Sequence, residues 1–379
     1  MKRIYLSPPH LGEQEIHKVN EVFKSNWIAP LGPEVDGFEQ DLQELFDGSY
    51  VAVLSSGTAA IHLALILCGT KPGDEVICQS LTFSGSAYPI TYTGAHPIFI
   101  DSEDNTWNID PEYLEIAIKN RLKKGKKPKA IIPVHLYGMP ASMSKIIEIS
   151  KLYSIPIIED AAEALGSKYF DKKCGSIGDY GILSFNGNKI ITTSGGGALI
   201  SSDISVINRA KFLATQARDP APHYEHSQIG FNYRMSNVIA AIGRGQLKLL
   251  EDRIQSRRAN FDRYKAYFDA KNKLGYCIKW LDEKKGFFSN RWLTTILIEP
   301  KKNNGISREK LWLAFEEKNI ESRPVWKPMH MQPVFKDALY FGETVAESIF
   351  NHGLCLPSGT NMTEEDWERI FDVLDSIFK

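Results

Sequence analysis

The chain of 379 residues is long enough for two domains, or for one large domain with an appendage. Its 43% hydrophobic and 24% charged residues are typical of an ordinary globular protein that folds in water. The formal net charge of -1 argues against bulk attraction to nucleic acid or to an anionic membrane.

The cysteines and the N-terminus indicate a compartment. Cys68, Cys78, Cys174, Cys277 and Cys355 are scattered, without a CxxC pair or the spacing of a metal site. The start, "MKRIYLSPPHLGEQEIH", lacks the apolar core of a signal peptide, and no run approaches about 18 apolar residues. These features predict a cytoplasmic protein with reduced thiols, no bound metal and no membrane segment.

In chain order, two amphipathic helices come first, at "GEQEIHKVNEVFKSN" and "VDGFEQDLQELFDG", on either side of the Pro/Gly-containing "NWIAPLGPEV". Apolar strands then alternate with helices. Strands are predicted at "YVAVLSS", "DEVICQS", "HPIFID", "KAIIPVHLYG" and "IPIIEDA", and helices at "GTAAIHLALILCG", "SGSAYPITYTG", "DPEYLEIAIKN" and "SMSKIIEISKLYS". This alternation predicts an α/β fold with a mostly parallel sheet flanked by helices. "DYGILSFN" and "GGALISS" lie too close together for a crossover, which predicts a local antiparallel pair.

The pattern changes after about residue 235. Residues 236–270 predict one long helical stretch, broken near Gly243 and Gly245. The smaller units "RWLTTILIEP", "SREKLWLAFEEKN", "ESRPVWKP" and "TEEDWERIFDVLDSIF" then alternate strand and helix. We therefore predict a large domain with an N-terminal arm over residues 1–240 and a smaller C-terminal α+β domain over residues 241–379.

Three predicted strand ends carry residues suited to binding or catalysis. Ser56, Gly57 and Thr58 open a helix, where free N–H groups and hydroxyls suit a phosphate, although such residues also serve as simple helix caps. Asp160 follows an apolar strand, where it could be a helix N-cap or a functional acid. Beyond Ser184 lies Lys189, an isolated lysine in "SFNGNKIITTSGGG".

Phosphate donors, a strand-end acid and an isolated lysine together fit pyridoxal phosphate. Lys189 would form a Schiff base with the cofactor, and Asp160 would keep the pyridinium nitrogen protonated so that the ring acts as an electron sink. A nicotinamide-dependent oxidoreductase is disfavoured, because no GxGxxG follows the first predicted strand.

The sequence also resembles the DegT/DnrJ/EryC1/StrS sugar aminotransferases, which are pyridoxal phosphate-dependent enzymes of fold type I, the fold of aspartate aminotransferase. Eight segments in the same order carry the resemblance over almost the whole chain: "SNWIAPLGPEVDGFE", "SSGTAAIHLAL", "GDEVICQSLTFSGSAYPI", "HLYGMP", "EDAAEALGS", "GDYGILSFNGNKIITTSGGGALIS", "GFNYRMSNVIAAIG" and "SRPVWKPMHMQPVF". It implies that Lys189 is the Schiff-base and proton-transfer residue and that Asp160 pairs with the pyridine nitrogen. By the same resemblance, Gly57, Thr58 and Ser184 hold the phosphate.

Further positions follow from the resemblance alone. Phe83 would stack on the cofactor ring, and Asn232 would reach the cofactor phosphate of a neighbouring subunit, which implies a homodimer. Glu163 occupies a position near the cofactor O3′ where many members carry Gln or His. A protonated Glu163 could donate to that oxygen, whereas an ionised one would repel it. Related enzymes that dehydrate sugars carry His in place of Lys189, so the lysine favours transamination.

For the substrate, the resemblance indicates a nucleotide sugar and L-glutamate as amino donor. The candidate substrate-binding residues are Asn26, Trp27, Ile28, Trp326, Lys327 and His330, with the neighbouring subunit's site as an alternative place of action for the last three. The segments look closest to enzymes of the bacillosamine pathway, which aminate C4 of UDP-2-acetamido-2,6-dideoxy-hexos-4-ulose. GDP-perosamine-type, dTDP-sugar and pseudaminic-pathway amination would use the same core residues. A non-catalytic regulator that binds pyridoxal phosphate or a nucleotide sugar would be expected to lack Lys189 or Asp160.

Overall fold

The structure is a computed structural model that describes residues 2–379. Its helices are α1 (Glu13–Lys24), α2 (Pro33–Leu45), α3 (Gly57–Leu67), α4 (Ser84–Tyr92), α5 (Pro111–Lys123), α6 (Met143–Tyr153), α7 (Ile204–Ala214), α8 (Asn237–Leu247), α9 (Leu250–Lys273), α10 (Arg308–Glu317), α11 (Val345–His352) and α12 (Glu364–Ile377). The strands are β1 (Tyr50–Leu54), β2 (Glu75–Gln79), β3 (His96–Ile100), β4 (Ile131–Ile132), β5 (Ile158–Asp160), β6 (Lys168–Tyr169), β7 (Lys172–Lys173), β8 (Tyr180–Ser184), β9 (Gly197–Ser201), β10 (Ile278–Trp280), β11 (Phe287–Phe288), β12 (Thr294–Ile298), β13 (Arg323–Pro324), β14 (Leu339–Phe341) and β15 (Gly353–Leu356).

A central sheet organises the first part of the chain. One half has the strand order β1-β9-β8-β5 and the other β14-β3-β2-β4, and single parallel bridges join β4 and the residues after it to the β5 side of the first half. Only β9 runs antiparallel, to both β1 and β8, and the other paired strands are parallel. The predicted α/β class and the antiparallel pair are both confirmed. Because these strands run in the same direction, the carboxyl ends of β1, β2, β5 and β8 lie at the same edge of the sheet.

The C-terminal part contains a second, fully antiparallel sheet in the order β10-β12-β15-β13. Apolar side chains of α9, α10 and α12 pack together in a separate core with this sheet, including Tyr264, Phe268, Phe315, Trp367 and Ile370. Two segments cross between the parts, since Ile4 forms a parallel bridge with Ile320 and β14 extends the central sheet beside β3. The domain division at residue 240 stays a prediction.

The predicted break in the long helical stretch is present, but it lies at Lys248 and Leu249, and both glycines lie inside α8. A Cβ atom at Gly243 would lie 2.6 Å from the Phe38 ring, and one at Gly245 would lie 3.0 Å from the backbone of Glu15. The glycines therefore let α1 and α2 approach α8 closely rather than ending the helix.

Two other elements differ from the prediction. The strand expected over "KAIIPVHLYG" is short, and Leu136–Gly138 form a 3-10 turn in which Tyr137 has a φ of 53°. A residue in this left-handed region cannot continue a strand. Helix α7 was not predicted, although Asp203 caps it by accepting a hydrogen bond from Ser205 N at 2.8 Å.

Across residues 2–379, no helix combines the length and the apolar character needed to cross a lipid bilayer.

Candidate active site

A cavity of about 470 Å³ opens at the carboxyl edge of the central sheet, between the strand ends and the first turns of α3 and α4. Nine of the candidate residues line it: Ser56, Gly57, Thr58, Phe83, Asp160, Glu163, Ser184, Lys189 and Trp326. The fold therefore brings together residues that are up to 270 positions apart, from Ser56 to Trp326.

The start of α3 forms one end of the cavity. Ser56 caps the helix by accepting a hydrogen bond from Ala59 N at 3.0 Å, and the N–H groups of the first helical turn have no acceptor within the helix. A Cβ atom at Gly57 would lie 3.3 Å from Ser184 Cβ, so glycine lets the start of α3 lie close to the end of β8. Free N–H groups, hydroxyls and the positive end of the helix dipole make an anion cradle.

Lys189 lies on the turn after β8, where its backbone N–H bonds Asn186 O at 3.0 Å. Its side chain is 10% exposed, and Nζ lies 3.3 Å from Glu163 Oε1. The same nitrogen is 4.2 Å from the centre of the Trp292 ring. The amine is thus held by a carboxylate on one side and an aromatic face on the other.

Glu163 is buried, and its second carboxylate oxygen accepts a hydrogen bond from Tyr137 N at 2.7 Å. Burial raises the pKa of Glu163 to about 7, although Lys189 and the Tyr137 N–H favour the charged form. Asp160 adds to the rise. Glu163 can therefore carry or lose a proton near neutral pH, which keeps both roles considered for it open.

Asp160 ends β5 and accepts hydrogen bonds from Ser86 Oγ at 2.6 Å and from Ala162 N at 3.1 Å. Ser86 also pairs with Thr82 Oγ1 at 2.7 Å, and both hydroxyls are buried. Since a carboxylate only accepts, Ser86 donates to Asp160 and Thr82 donates to Ser86. Residues 161–166 form turns, so Asp160 does not cap a helix here.

Aromatic rings border the open side of the cavity. Phe83 is 56% exposed, and its ring centre lies 5.5 Å from that of Trp326. Trp326 in turn lies 5.2 Å from Tyr137, whose hydroxyl accepts a hydrogen bond from Trp326 N at 3.3 Å. Trp326 belongs to the cavity of its own chain, whereas the sequence left the neighbouring subunit's site as an alternative. These rings suit contact with a flat cofactor or a sugar face.

The N-terminal candidates Asn26, Trp27 and Ile28 do not reach the cavity of their own chain. All three are exposed, Trp27 to 46% and Ile28 to 55%. Asn237 holds their loop by donating to Trp27 O at 2.9 Å. The loop is thus a fixed surface feature of the single chain.

The remaining candidates also lie outside the cavity lining. Asn232 is exposed and accepts a hydrogen bond from Gln216 Nε2 at 3.1 Å. His330 is held between Ser80 Oγ at 2.6 Å and Glu347 Oε1 at 3.3 Å. Lys327 follows Trp326 in the same segment and is half-buried.

Several residues of the site were not singled out from the sequence. Ser55, Thr82, Gly85, Ser86, Asn186, Asn188, Gly195 and Gly196 line the cavity. All eight lie in "SSGTAA", "LTFSGS" or "SFNGNKIITTSGGG", so the motifs already contained the signal. Trp292, which lies beside Lys189, has no local signal in the sequence.

One buried cluster outside the cavity lining combines metal-ligating residue types, namely His135, Glu159 and Cys174. The Glu159 carboxylate is already hydrogen bonded to His135 Nε2 at 2.8 Å and to backbone N–H groups within residues 175–178. These contacts account for the carboxylate as a structural brace between two loops.

The residues present fit pyridoxal phosphate. The start of α3 offers N–H groups and hydroxyls for a phosphate, and Asp160 offers a buried, oriented carboxylate for a ring nitrogen. Lys189 offers an amine, and Phe83 an exposed ring at the cavity mouth. When bound there, the cofactor supplies an electron sink for a carbanion formed next to nitrogen.

Known proteins match the chain over its full length. The model of the DegT/DnrJ/EryC1/StrS aminotransferase family matches residues 9–375. EpsN of Bacillus subtilis (strain 168), described as a proposed pyridoxal phosphate-dependent aminotransferase, is 49% identical over 383 residues, with 100% of this chain and 96% of EpsN covered. The GDP-perosamine synthase of Escherichia coli O157:H7 is 38% identical over 378 residues, with 100% of this chain and 99% of the relative covered.

A solved structure agrees with these sequence matches. The proposed sugar aminotransferase Spr1654 of Streptococcus pneumoniae, in its pyridoxal phosphate form, is 27% identical with a TM-score of 0.87, and 100% of both chains is covered. Its PMP form matches with the same TM-score of 0.87. The chain belongs to the DegT/DnrJ/EryC1/StrS aminotransferase family and uses pyridoxal phosphate as its cofactor.

Proposed function

We propose that this aminotransferase moves the amino group of L-glutamate to the C4 keto group of UDP-2-acetamido-2,6-dideoxy-hexos-4-ulose. The observation that carries the proposal is the placement of Lys189 between Glu163 and Trp292, in a cavity that also holds Asp160 and opens past Trp326. The resemblance of "RPVWKPMHMQP" and "CLPSGTNMTEED" to the bacillosamine-pathway enzymes supports the UDP-sugar. We place the reaction in the cytoplasm, in keeping with five free cysteines.

In this proposal Lys189 moves the protons. Its Nζ removes the proton from Cα of glutamate in the first half-reaction and delivers a proton to C4 of the keto-sugar in the second. The Glu163 carboxylate, 3.3 Å away, holds Nζ in the cavity between these transfers. Asp160 is held in one orientation by Ser86, so its charge is preorganised for the cofactor ring.

The sugar is proposed to enter over Phe83 and Trp326, whose rings lie at the cavity mouth. An apolar sugar face can pack on such rings, while the cavity interior carries the polar groups. Carbon 4 must then reach the region between the rings and Lys189 Nζ, with the face that accepts the proton turned toward Nζ.

A homodimer with shared active sites is part of the proposal. Asn232 and Trp27 are exposed and lie outside the cavity of their own chain, as does Tyr92, which is 55% exposed. A second copy would cover these residues and bring Asn232 toward a neighbouring phosphate cradle.

Mixing inactive Lys189→Ala and Asn232→Ala chains would then restore activity, because mixed dimers contain one complete site. Absence of recovery after demonstrated subunit exchange would contradict the shared site.

Amination of a GDP-keto-sugar is the second candidate. It is favoured by the relative from Escherichia coli, whose name is GDP-perosamine synthase and which is 38% identical over 378 residues. The candidates differ in the nucleotide and the sugar, and they share Lys189 and Asp160.

The visible spectrum of the purified, cofactor-loaded protein separates the candidates. We expect L-glutamate to bleach the yellow absorbance and UDP-2-acetamido-2,6-dideoxy-hexos-4-ulose to restore it. Recovery with GDP-4-keto-6-deoxymannose alone would replace the UDP-sugar by the GDP-sugar. Failure of glutamate to change the absorbance would contradict the proposed amino donor.

A further inference from the structure

The peptide carbonyl of Asn188, directly before Lys189, is held from two distant parts of the chain. Ser7 Oγ donates to it at 2.7 Å and Trp292 Nε1 donates to it at 2.7 Å. Both lone pairs of this carbonyl are therefore used, although Asn188 itself is exposed. The turn that carries Lys189 is thus anchored by the N-terminal arm and by the segment before β12.

Ser7 and Trp292 are both hydrogen bonded to one buried arginine, Arg257. Arg257 on α9 is 1% exposed, and it donates to Ser7 Oγ at 2.8 Å and to Trp292 O at 2.8 Å. Within the described residues it forms no ion pair, and its Nε has no hydrogen-bond partner. Burial lowers the pKa of Arg257 to about 9.

A buried guanidinium without a carboxylate is costly. Arg121, which is also buried, pairs with Glu75 at 2.6 Å. The two sites differ in what they hold, since Arg121 neutralises an acid whereas Arg257 bonds only neutral acceptors next to the Lys189 turn. A buried charge kept at this cost beside the Lys189 turn points to a role in holding that turn.

The hydrogen bonds from Arg257 have a definite direction. A guanidinium only donates, so Ser7 accepts from Arg257 and its own hydroxyl hydrogen goes to Asn188 O. The positive charge of Arg257 polarises this series of hydrogen bonds and strengthens the bond from Ser7 to Asn188 O. Along the other branch, Arg257 fixes the backbone of Trp292, whose ring lies 4.2 Å from Lys189 Nζ.

We propose that Arg257 is a positioning residue for Lys189 and acts through Ser7 and Trp292. The two branches fix the peptide before Lys189 and the ring beside its amine, so that Nζ stays aligned for both proton transfers. This inference rests on the proposed role of Lys189. A displacement of about 1 Å at a reacting group can cost about 100-fold in rate.

Ser7→Ala is the sharpest variant, because it removes one hydrogen bond to the Lys189 turn. Ser150→Ala is its matched control, since Ser150 is 9% exposed against 8% for Ser7 and donates to a carbonyl, Ile155 O, at the same 2.7 Å. Ser150 lies on α6, outside the cavity lining. Ser7→Ala should lose more thermal stability than Ser150→Ala, because it also takes an acceptor from the buried Arg257. The two variants are therefore compared on cofactor capture and on the rate of the half-reaction.

The first measurement uses the cofactor-free protein. We expect Ser7→Ala to slow covalent capture of pyridoxal phosphate by Lys189 about 10-fold, as for the loss of one aligned hydrogen bond. The Kd for pyridoxamine phosphate, which forms no bond with the lysine, should stay within about 2-fold. Ser150→Ala should change neither value.

The second measurement is the glutamate half-reaction of the loaded protein. Ser7→Ala should lower its rate constant at saturating glutamate about 10-fold and leave half-saturation within about 2-fold. Arg257→Met should lower it about 100-fold, and Arg257→Lys should recover part of the loss. If Arg257→Met does not fold, Ser7→Ala decides alone.

Two results would overturn the inference: an unchanged capture rate and rate constant in Ser7→Ala, or equal losses in Ser7→Ala and Ser150→Ala. Failure of the proposed function looks different. In that case Lys189→Ala would still carry out the glutamate half-reaction, or the keto-sugar would not react while the effects of Ser7→Ala on capture persisted.

Discussion

The two walls of the cavity are built in different ways. The inner wall consists of residues at the strand ends of the central sheet and on the turns and helix starts beyond them, such as Asp160, Lys189 and Gly57. The outer side depends on segments far away in sequence, with Trp326 at the mouth and Trp292 bound to a residue 104 positions earlier. The chemistry thus lies on rigid strand ends, while alignment and substrate access depend on packing between distant segments.

Two acids of the inner wall, Asp160 and Glu163, are also held in different ways. Asp160 is held by Ser86 and by the backbone of Ala162. Glu163, three positions later, relies on Tyr137 and Lys189, and burial raises its pKa to about 7. Glu163 is therefore suited to a charge that changes near neutral pH, whereas Asp160 is distinguished by its fixed orientation.

The largest expected effect is at the centre of the inner wall. Lys189→Ala should lower the rate of amino transfer by about 1000-fold or more, because both proton transfers lose their base. Steady-state turnover with glutamate and keto-sugar measures it. Lys168→Ala, an exposed position on β6, is the control and should retain full activity. Sustained turnover by Lys189→Ala would refute the assignment.

A smaller loss, about 100-fold, is expected for Asp160→Asn, which keeps the shape but removes the charge next to the cofactor ring. Cofactor affinity should fall as well, and both quantities can be read from absorbance titrations. Asp179→Asn is the comparison variant, since the exposed Asp179 also accepts a backbone hydrogen bond, from Ile157 N at 2.8 Å, but lies outside the cavity lining. Equal losses of activity in both variants would mean that Asp160 acts only through stability.

Glu163→Gln tests the raised pKa of Glu163. The folded-state pKa is raised from 4.5 to about 7, so the folded protein binds more protons than the unfolded chain between these values. The free energy of unfolding of the cofactor-free wild type should therefore fall as pH rises through this window, by roughly 2–3 kcal/mol relative to Glu163→Gln. Urea unfolding at pH 5, 6 and 7.5 measures the difference. Parallel pH profiles would contradict the raised pKa.

The smallest effect is expected on the outer side. Trp326→Leu should raise KM for the keto-sugar about 10-fold through lost ring contact and leave the glutamate half-reaction within about 2-fold. Trp312→Leu, in the core of the C-terminal part, controls for the loss of a partly buried tryptophan. A fall in the glutamate rate without a change in keto-sugar KM would place Trp326 with the chemistry instead of with the substrate.

The contrast between the walls also explains what the sequence could predict. Inner-wall positions could be located because apolar strands, helix starts and an isolated lysine are local features, and the fold puts strand ends at one edge. Ser7 and Trp292 could not be located, because their contacts with Asn188 O span 181 and 104 residues and leave no local pattern. Arg257 could not be located either, because it reaches the Lys189 turn only through Ser7 and Trp292.

The fold shows the same limit. Alternating apolar runs were enough to predict the α/β sheet and its antiparallel pair, which the structure confirms. The break in the long helical stretch lies three residues beyond Gly245, because the glycines make a close contact with α1 and α2 that only tertiary packing creates. Strand β14 was missed because its three residues owe their extended form to pairing with β3.

The most direct test is to reduce the cofactor-loaded protein with borohydride and map the attached group by peptide mass spectrometry. We expect a single phosphopyridoxyl group, on the peptide that contains Lys189, and its loss after prior addition of glutamate. A label on another lysine, or no label in a protein that still absorbs as the loaded form, would contradict the account of the site.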